Sequence, residues 1–121
     1  PGLTDSELEA ILERAREAGA LTAEYLLLRL PHGVKDLFTH WLEERRPEKR
    51  DRVLHLIREM RAGNLNDPRF KSRGRGEGIH ADLLRRRFAV AHRRLGFKHR
   101  SPLHTDLFRN GAQAAQPGLF G

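Results

Sequence analysis

The fold turns on LTAEYLLLRLP, residues 21 to 31. Its leucines favour helix, yet a short apolar run bounded by Gly19 before and Pro31 after fits equally a strand buried on both faces of a parallel sheet. Periodicity leaves both readings open. As a lone parallel strand the run carries a difficulty, because each buried N–H and C=O group needs a hydrogen-bond partner. Three outcomes meet that need: the segment turns helical, its edge pairs with another copy, or further strands accompany it.

On either side of this run the sequence reads as helix. Thr4-Asp5-Ser6-Glu7 has capping-box spacing, Leu8, Ile11, Leu12 and Ala15 share one face, and Gly19 marks a stop, which predicts a helix over residues 5 to 18. Beyond Pro31, the stripe Val34, Leu37, Phe38, Trp41 and Leu42 predicts a second helix carrying most of the aromatic area of the core. Pro47 suits the first turn of a third, which runs to about Arg61 with Val53, Leu56, Ile57 and Met60 inward and Gly63 as its stop. These two helices read as an antiparallel hairpin. A turn-rich loop over residues 63 to 68 then leads to a basic glycine loop and a last helix from Ile79 to Leu95, ended by Gly96. Residues 111 to 121 are low in complexity and read as a tail.

Composition bounds the function classes. A chain of 121 residues with 38% hydrophobic content makes one small domain with a modest core. No apolar run reaches the length of a membrane span and no secretory signal opens the chain, so a cytoplasmic location with no membrane partner is the expectation. The absence of cysteine excludes a disulfide, a thiolate nucleophile, and a cysteine-held cluster or zinc within these residues. Pro1 opens the chain and Met60 is the only methionine, so the sequence reads as part of a longer polypeptide.

Charge is unevenly spread. Residues 1 to 44 hold 4 Lys/Arg against 9 Asp/Glu, whereas residues 45 to 100 hold 18 against 6, so the net charge of +7 understates the middle of the chain. Such a basic segment attracts phosphates and releases condensed counterions. Its densest part is RFKSRGRGEGIHADLLRRRFAVAHRRLGF, residues 69 to 97. There Gly74, Gly76 and Gly78 alternate with Arg73, Arg75 and Glu77, giving a permissive backbone that either turns tightly between helices or presents N–H groups to an anion. The spacing is neither the dinucleotide fingerprint nor a P-loop.

On the helix that follows, Leu84, Phe88, Ala91 and Leu95 form one apolar stripe and Leu83 with Val90 a smaller one, which predicts burial on two sides. Asp82 is spaced to pair with Arg86. Arg87 and Arg94 lie between the two patches, positions that suit a structural ion pair or a phosphate contact. Arg73, Arg75, Arg87 and Arg94 are therefore the expected nucleic-acid contacts. The seven histidines include no HExxH and no cysteine partner, and they read as surface or core-edge imidazoles. No serine sits in a nucleophile elbow.

Three blocks, PGLTDSELEAILERAREAGA, EYLLLRLPHGVKDLFTHWLEE and RGRGEGIHADLLRRRFAVAHRRLGF, resemble in order the C-terminal part of spore-photoproduct-lyase-like radical SAM proteins. The most specific element is LLLRLPHGVKDLF, a combination that no general helix or strand rule demands. The resemblance implies a mostly α fold: the last α/β unit of a partial parallel β/α barrel over residues 1 to 31, a C-terminal helical region over 32 to 97, and a flexible tail over 98 to 121. It makes residues 24 to 30 the last barrel strand. It places Gly2, Arg29 and Leu30 near the cofactor, which in that family is S-adenosylmethionine on a 4Fe-4S cluster held by three cysteines elsewhere in the protein. The rest of the barrel is then a partner, and the reaction acts on nucleic acid.

Gln116-Pro117-Gly118-Leu119-Phe120 is similar to the short peptide with which bacterial repair proteins hold the sliding clamp, with Gln116, Leu119 and Phe120 as the contact residues and Pro117-Gly118 departing from its favoured centre. Two functions stand side by side. One is the C-terminal end of a radical SAM enzyme whose catalytic cysteines lie outside this chain. The other is a noncatalytic basic helical module that binds nucleic acid or a protein partner such as the clamp.

Overall fold

The computed structural model describes residues 1 to 70 and 72 to 107. After a 3-10 turn at Asp5–Glu7 come four helices: α1 (Leu8–Glu17), α2 (Val34–Arg45), α3 (Arg50–Met60) and α4 (Ile79–Arg94). The chain is mostly helical, as expected, and the described residues form no strand. Helix α1 packs on α4, α4 on α3, and α3 on α2.

Helix ends follow the glycines, with one substitution. At the C-termini of α1 and α4 the amides of Ala20 and Phe97 reach back to the carbonyls of Ala15 and His92, each across a glycine of positive φ. For α3 the same role falls to Ala62 at φ 54°, and the following Gly63 amide donates to Arg58 O at 2.7 Å. The capping box at Thr4 does not form. Instead Asp5 Oδ1 accepts the Gly2 amide at 3.0 Å, and the first turn tightens to 3-10 geometry.

The decisive segment is neither helix nor strand. Residues 20 to 31 form no regular element, so the expected barrel strand over residues 24 to 30 is not present. From Ala23 to Leu28, however, exposure alternates residue by residue, as it does along extended backbone. The segment threads between helices and feeds all three core clusters. Leu30, 1% exposed, joins Leu42, Val53, Leu54 and Ile57; Leu27 joins Met60, Ala81 and Leu84; Ala20 and Ala23 border Leu12, Ala91 and Phe97. Full burial of one such leucine contributes about 1.5–3 kcal/mol.

Several of its main-chain groups find partners outside any sheet. Leu27 N donates to Gly74 O at 3.1 Å, and Leu21 O accepts from Lys98 N at 2.8 Å. The Arg61 guanidinium, 3% exposed, donates to Leu28 O at 2.9 Å, Leu27 O at 3.5 Å and Ser72 O at 3.3 Å. One arginine thus does locally what a neighbouring strand would otherwise do. Burial pulls its pKa below the ordinary arginine value.

Two expectations about apolar faces are corrected. On α2 only Leu42 is buried; Leu37 is 72% exposed, Trp41 44%, and Val34 is also open. The reason is that α2 packs mainly on α3 and, through Leu42, on Leu30, which leaves half of its stripe uncovered among the described residues. On α4, Leu83 and Val90 are exposed as well, which leaves that helix buried on one side. Leu54, not expected in the core, is buried there beside Val53.

Candidate nucleic-acid interface

The glycine loop is built as a spacer. Gly76, at φ 70°, lies so close to Leu27 that a Cβ would run into Leu27 Cδ1, and it would also come within 3.2 Å of Met60 O. The loop is stitched on both sides, with Glu77 N on Met60 O at 2.9 Å and Gly76 N on Ser72 O at 2.9 Å. Arg73 and Arg75 likewise give their amides to Arg69 O and Ser72 O. These four N–H groups are engaged within the fold and are not presented as a backbone cradle for an anion.

Asp67 organises the loop entrance. Its buried carboxylate accepts from the Arg69 amide at 3.0 Å, from Arg69 Nε at 2.9 Å and from Ser72 Oγ at 2.6 Å. The Arg69 guanidinium, followed by the Ser72 hydroxyl, holds the Asp67 carboxyl well below the usual carboxylate range. Arg69 also reaches Glu77 at 3.2 Å, which closes the loop on itself.

Between this loop, residues 24 to 29 and α4 lies a cleft of about 670 Å³. Its cations are Arg29, Arg73, Arg75 and Arg85, and its rings are Tyr25, Phe70 and Phe88. Tyr25 and Phe88 touch with centroids 4.8 Å apart, while Arg73 sits 4.7 Å over the centre of Phe70. A second cleft of about 590 Å³ shares Glu24 and Phe88 with the first and continues past His92, Arg93, Phe97, Lys98 and Arg100. His92 stands at 5.5–5.6 Å from the rings of Phe88, Phe97 and His99. Among the described residues Glu24 is the one carboxylate lining either cleft.

The expected contacts divide between two faces. Arg73 and Arg75 line the groove, and Arg29 joins them there, away from Gly2 and Leu30. Gly2 lies against Val53 and Leu56, and Leu30 is in the core beside Val53, so those two residues serve packing. Arg87 and Arg94 sit at the α1–α4 seam around a smaller recess of about 280 Å³. There Arg87 forks onto Glu9 at 2.6 and 2.8 Å and donates to Asp5 O at 2.8 Å, while Arg94 reaches Glu13 at 2.7 Å. Of the two roles that suited these arginines, the ion pair is the one formed. The Arg87 hydrogen bonds draw the Glu9 carboxyl down to about 2. Asp82 pairs with Arg85, three residues on, and not with Arg86.

Ion pairs therefore occupy Arg69, Arg85, Arg87 and Arg94, and part of the basic excess is answered by the acidic face of α1. Arg29, Arg73 and Arg75 form none among the described residues. The sequence reading does not include the rings of Tyr25, Phe70 and Phe88 among the contacts; for Phe70 the spacing Phe70-x-x-Arg73 within the basic loop is a signal, and for Tyr25 and Phe88 there is no local one. Gln116, Leu119 and Phe120, the clamp-like peptide, lie outside the described residues.

Among the described residues no group of three or more His, Asp or Glu side chains is placed to hold a metal ion, and no helix is long and apolar enough to cross a membrane. No family model, curated protein or solved structure matches the chain.

Proposed function

We propose that this chain binds nucleic acid through the groove between residues 22 to 29, the glycine loop and α4. The observation that carries this reading is the convergence of Arg29, Arg73 and Arg75 with the rings of Tyr25, Phe70 and Phe88 around a single carboxylate. Guanidinium groups that form no ion pair among the described residues remain available to phosphate oxygens, and aromatic faces beside them accept bases. Among the described residues the groove holds no nucleophile and general-base pair in contact, and the reading is of binding by these residues.

A salt series with a fluorescent oligonucleotide tests it. Replacing Arg29, Arg73 and Arg75 together with alanine weakens binding and flattens the slope of log K against log salt by about 2, since each lost phosphate contact removes roughly 0.7–0.9 from it. An unchanged slope with correctly folded variant protein refutes the groove.

The resemblance to spore-photoproduct-lyase-like radical SAM proteins supplies a second reading, in which this groove is the substrate side of a larger enzyme. The alternating exposure from Ala23 to Leu28 favours it, being the pattern of a strand that lacks its ladder. The family's cluster needs three thiolates and this sequence has no cysteine, so these residues do not fit that group. In this reading the cluster and S-adenosylmethionine belong to another segment, and a three-cysteine motif in the same reading frame is the test. A frame without one removes the enzyme reading and leaves the binding module.

A further inference from the structure

Phe70 is 79% exposed at the rim of the cleft, an unusual place for a large apolar ring. One of its faces is covered by the Arg73 guanidinium at 4.7 Å from the ring centre, and nothing in the core depends on the side chain. An exposed ring backed by a cation is a flat platform at the level where a ligand enters. Deeper in the same cleft, Tyr25 and Phe88 form a second aromatic surface, with Arg29 and Arg75 alongside.

Duplex and single strand present different chemistry to such a groove. A duplex turns phosphates outward and keeps its base faces stacked inside, so the rings would meet only sugar and phosphate. An unpaired strand offers base faces, and a base on an aromatic ring gains stacking energy regardless of sequence. We infer that the groove selects single-stranded over double-stranded nucleic acid, with Phe70, held by Arg73, stacking on an unpaired base. This inference rests on the groove being the nucleic-acid site, and it names the form of the ligand.

The experiment compares a labelled 12-nucleotide oligothymidine with a duplex of equal length, using wild-type protein, Phe70→Ala and Phe70→Trp. Single strand binds more tightly than duplex; Phe70→Ala weakens single-strand binding about tenfold and duplex binding far less, and Phe70→Trp restores the single-strand affinity. Since Phe70 is exposed, the alanine variant keeps its fold, and unchanged circular dichroism verifies that. Equal affinity for both forms, or Phe70→Ala affecting both alike, overturns the inference while the groove stands. Binding of neither form refutes the groove itself.

Discussion

Arg61 Nη2 donates to the carbonyl oxygen of Leu28 at 2.9 Å, and the same guanidinium reaches Leu27 O and Ser72 O. One side chain from the end of α3 thereby ties the extended segment to the glycine loop. Arg61→Met removes the donors but leaves the carbonyls, and a buried polar group without a partner costs about 1–3 kcal/mol. The expected loss is about 2–4 kcal/mol, read as a lower urea midpoint, with Arg61→Lys between the two because one ammonium cannot fork to three acceptors. An Arg61→Met midpoint equal to wild type means that the segment is held by its leucines alone.

Gly76 separates space from backbone strain. Alanine there meets Leu27 Cδ1 at a positive φ, whereas Gly19, also at positive φ, has nothing within 4 Å of the added carbon. Gly19→Ala carries only the conformational penalty, about 1 kcal/mol, and Gly76→Ala adds overpacking of about 1–3 kcal/mol. Thermal midpoints of the two variants give the difference directly. Equal losses would show that Leu27 swings aside without cost.

Ala62 offers a gain. It occupies the left-handed region at φ 54°, where glycine has no Cβ penalty. Ala62→Gly stabilises by up to about 1 kcal/mol, offset in part by the greater freedom of glycine in the unfolded chain. A raised melting temperature is the expected result, and a lowered one rejects the left-handed helix end.

Acid stability reports on the α1–α4 seam. Glu9 is held at about 2 by Arg87, below its unfolded value, so the pair stabilises the fold above the ordinary carboxylate range and loses that effect as pH falls through the folded value. Glu9→Gln is therefore less stable than wild type at neutral pH. The gap closes between roughly pH 4.5 and 2. Because both side chains are partly exposed, solvent screening keeps the difference small. Melting curves across that range check it, and a gap that persists below pH 2 assigns the effect to packing.

Glu24 opposes the groove's charge. As the one carboxylate lining either cleft, it repels a phosphate backbone, and Glu24→Gln removes that repulsion. Oligonucleotide affinity rises by about two- to threefold at low salt and converges with wild type as salt screens the charge. Weaker binding by the variant would place Glu24 as a ligand contact.

Much of the helical layout could be read from spacing. The repeats in α1, α3 and α4 and the glycines after them predict elements whose ends differ from the structure by a few residues. The α2 stripe is different: amphipathic spacing records which face is apolar, not whether a neighbour arrives to cover it. Residues 21 to 31 are not legible locally because a main partner of theirs is Arg61, 33 residues beyond Leu28, whose burial no local pattern marks. Arg73 and Arg75 stood out through the glycines around them. Arg87 and Arg94 looked equally basic, and only tertiary packing shows that Glu9 and Glu13 answer them.

The segment and the glycine loop that carry the lining of the groove are fastened behind it by Arg61, Gly76 and Leu27. Substitution has two routes to the binding surface, and they carry very different risks. Rim positions such as Glu24, Phe70 and Arg75 can change while the domain stays intact, which leaves the proposed ligand preference open to drift there. Any change to those three fastenings is screened first by whether the chain still folds.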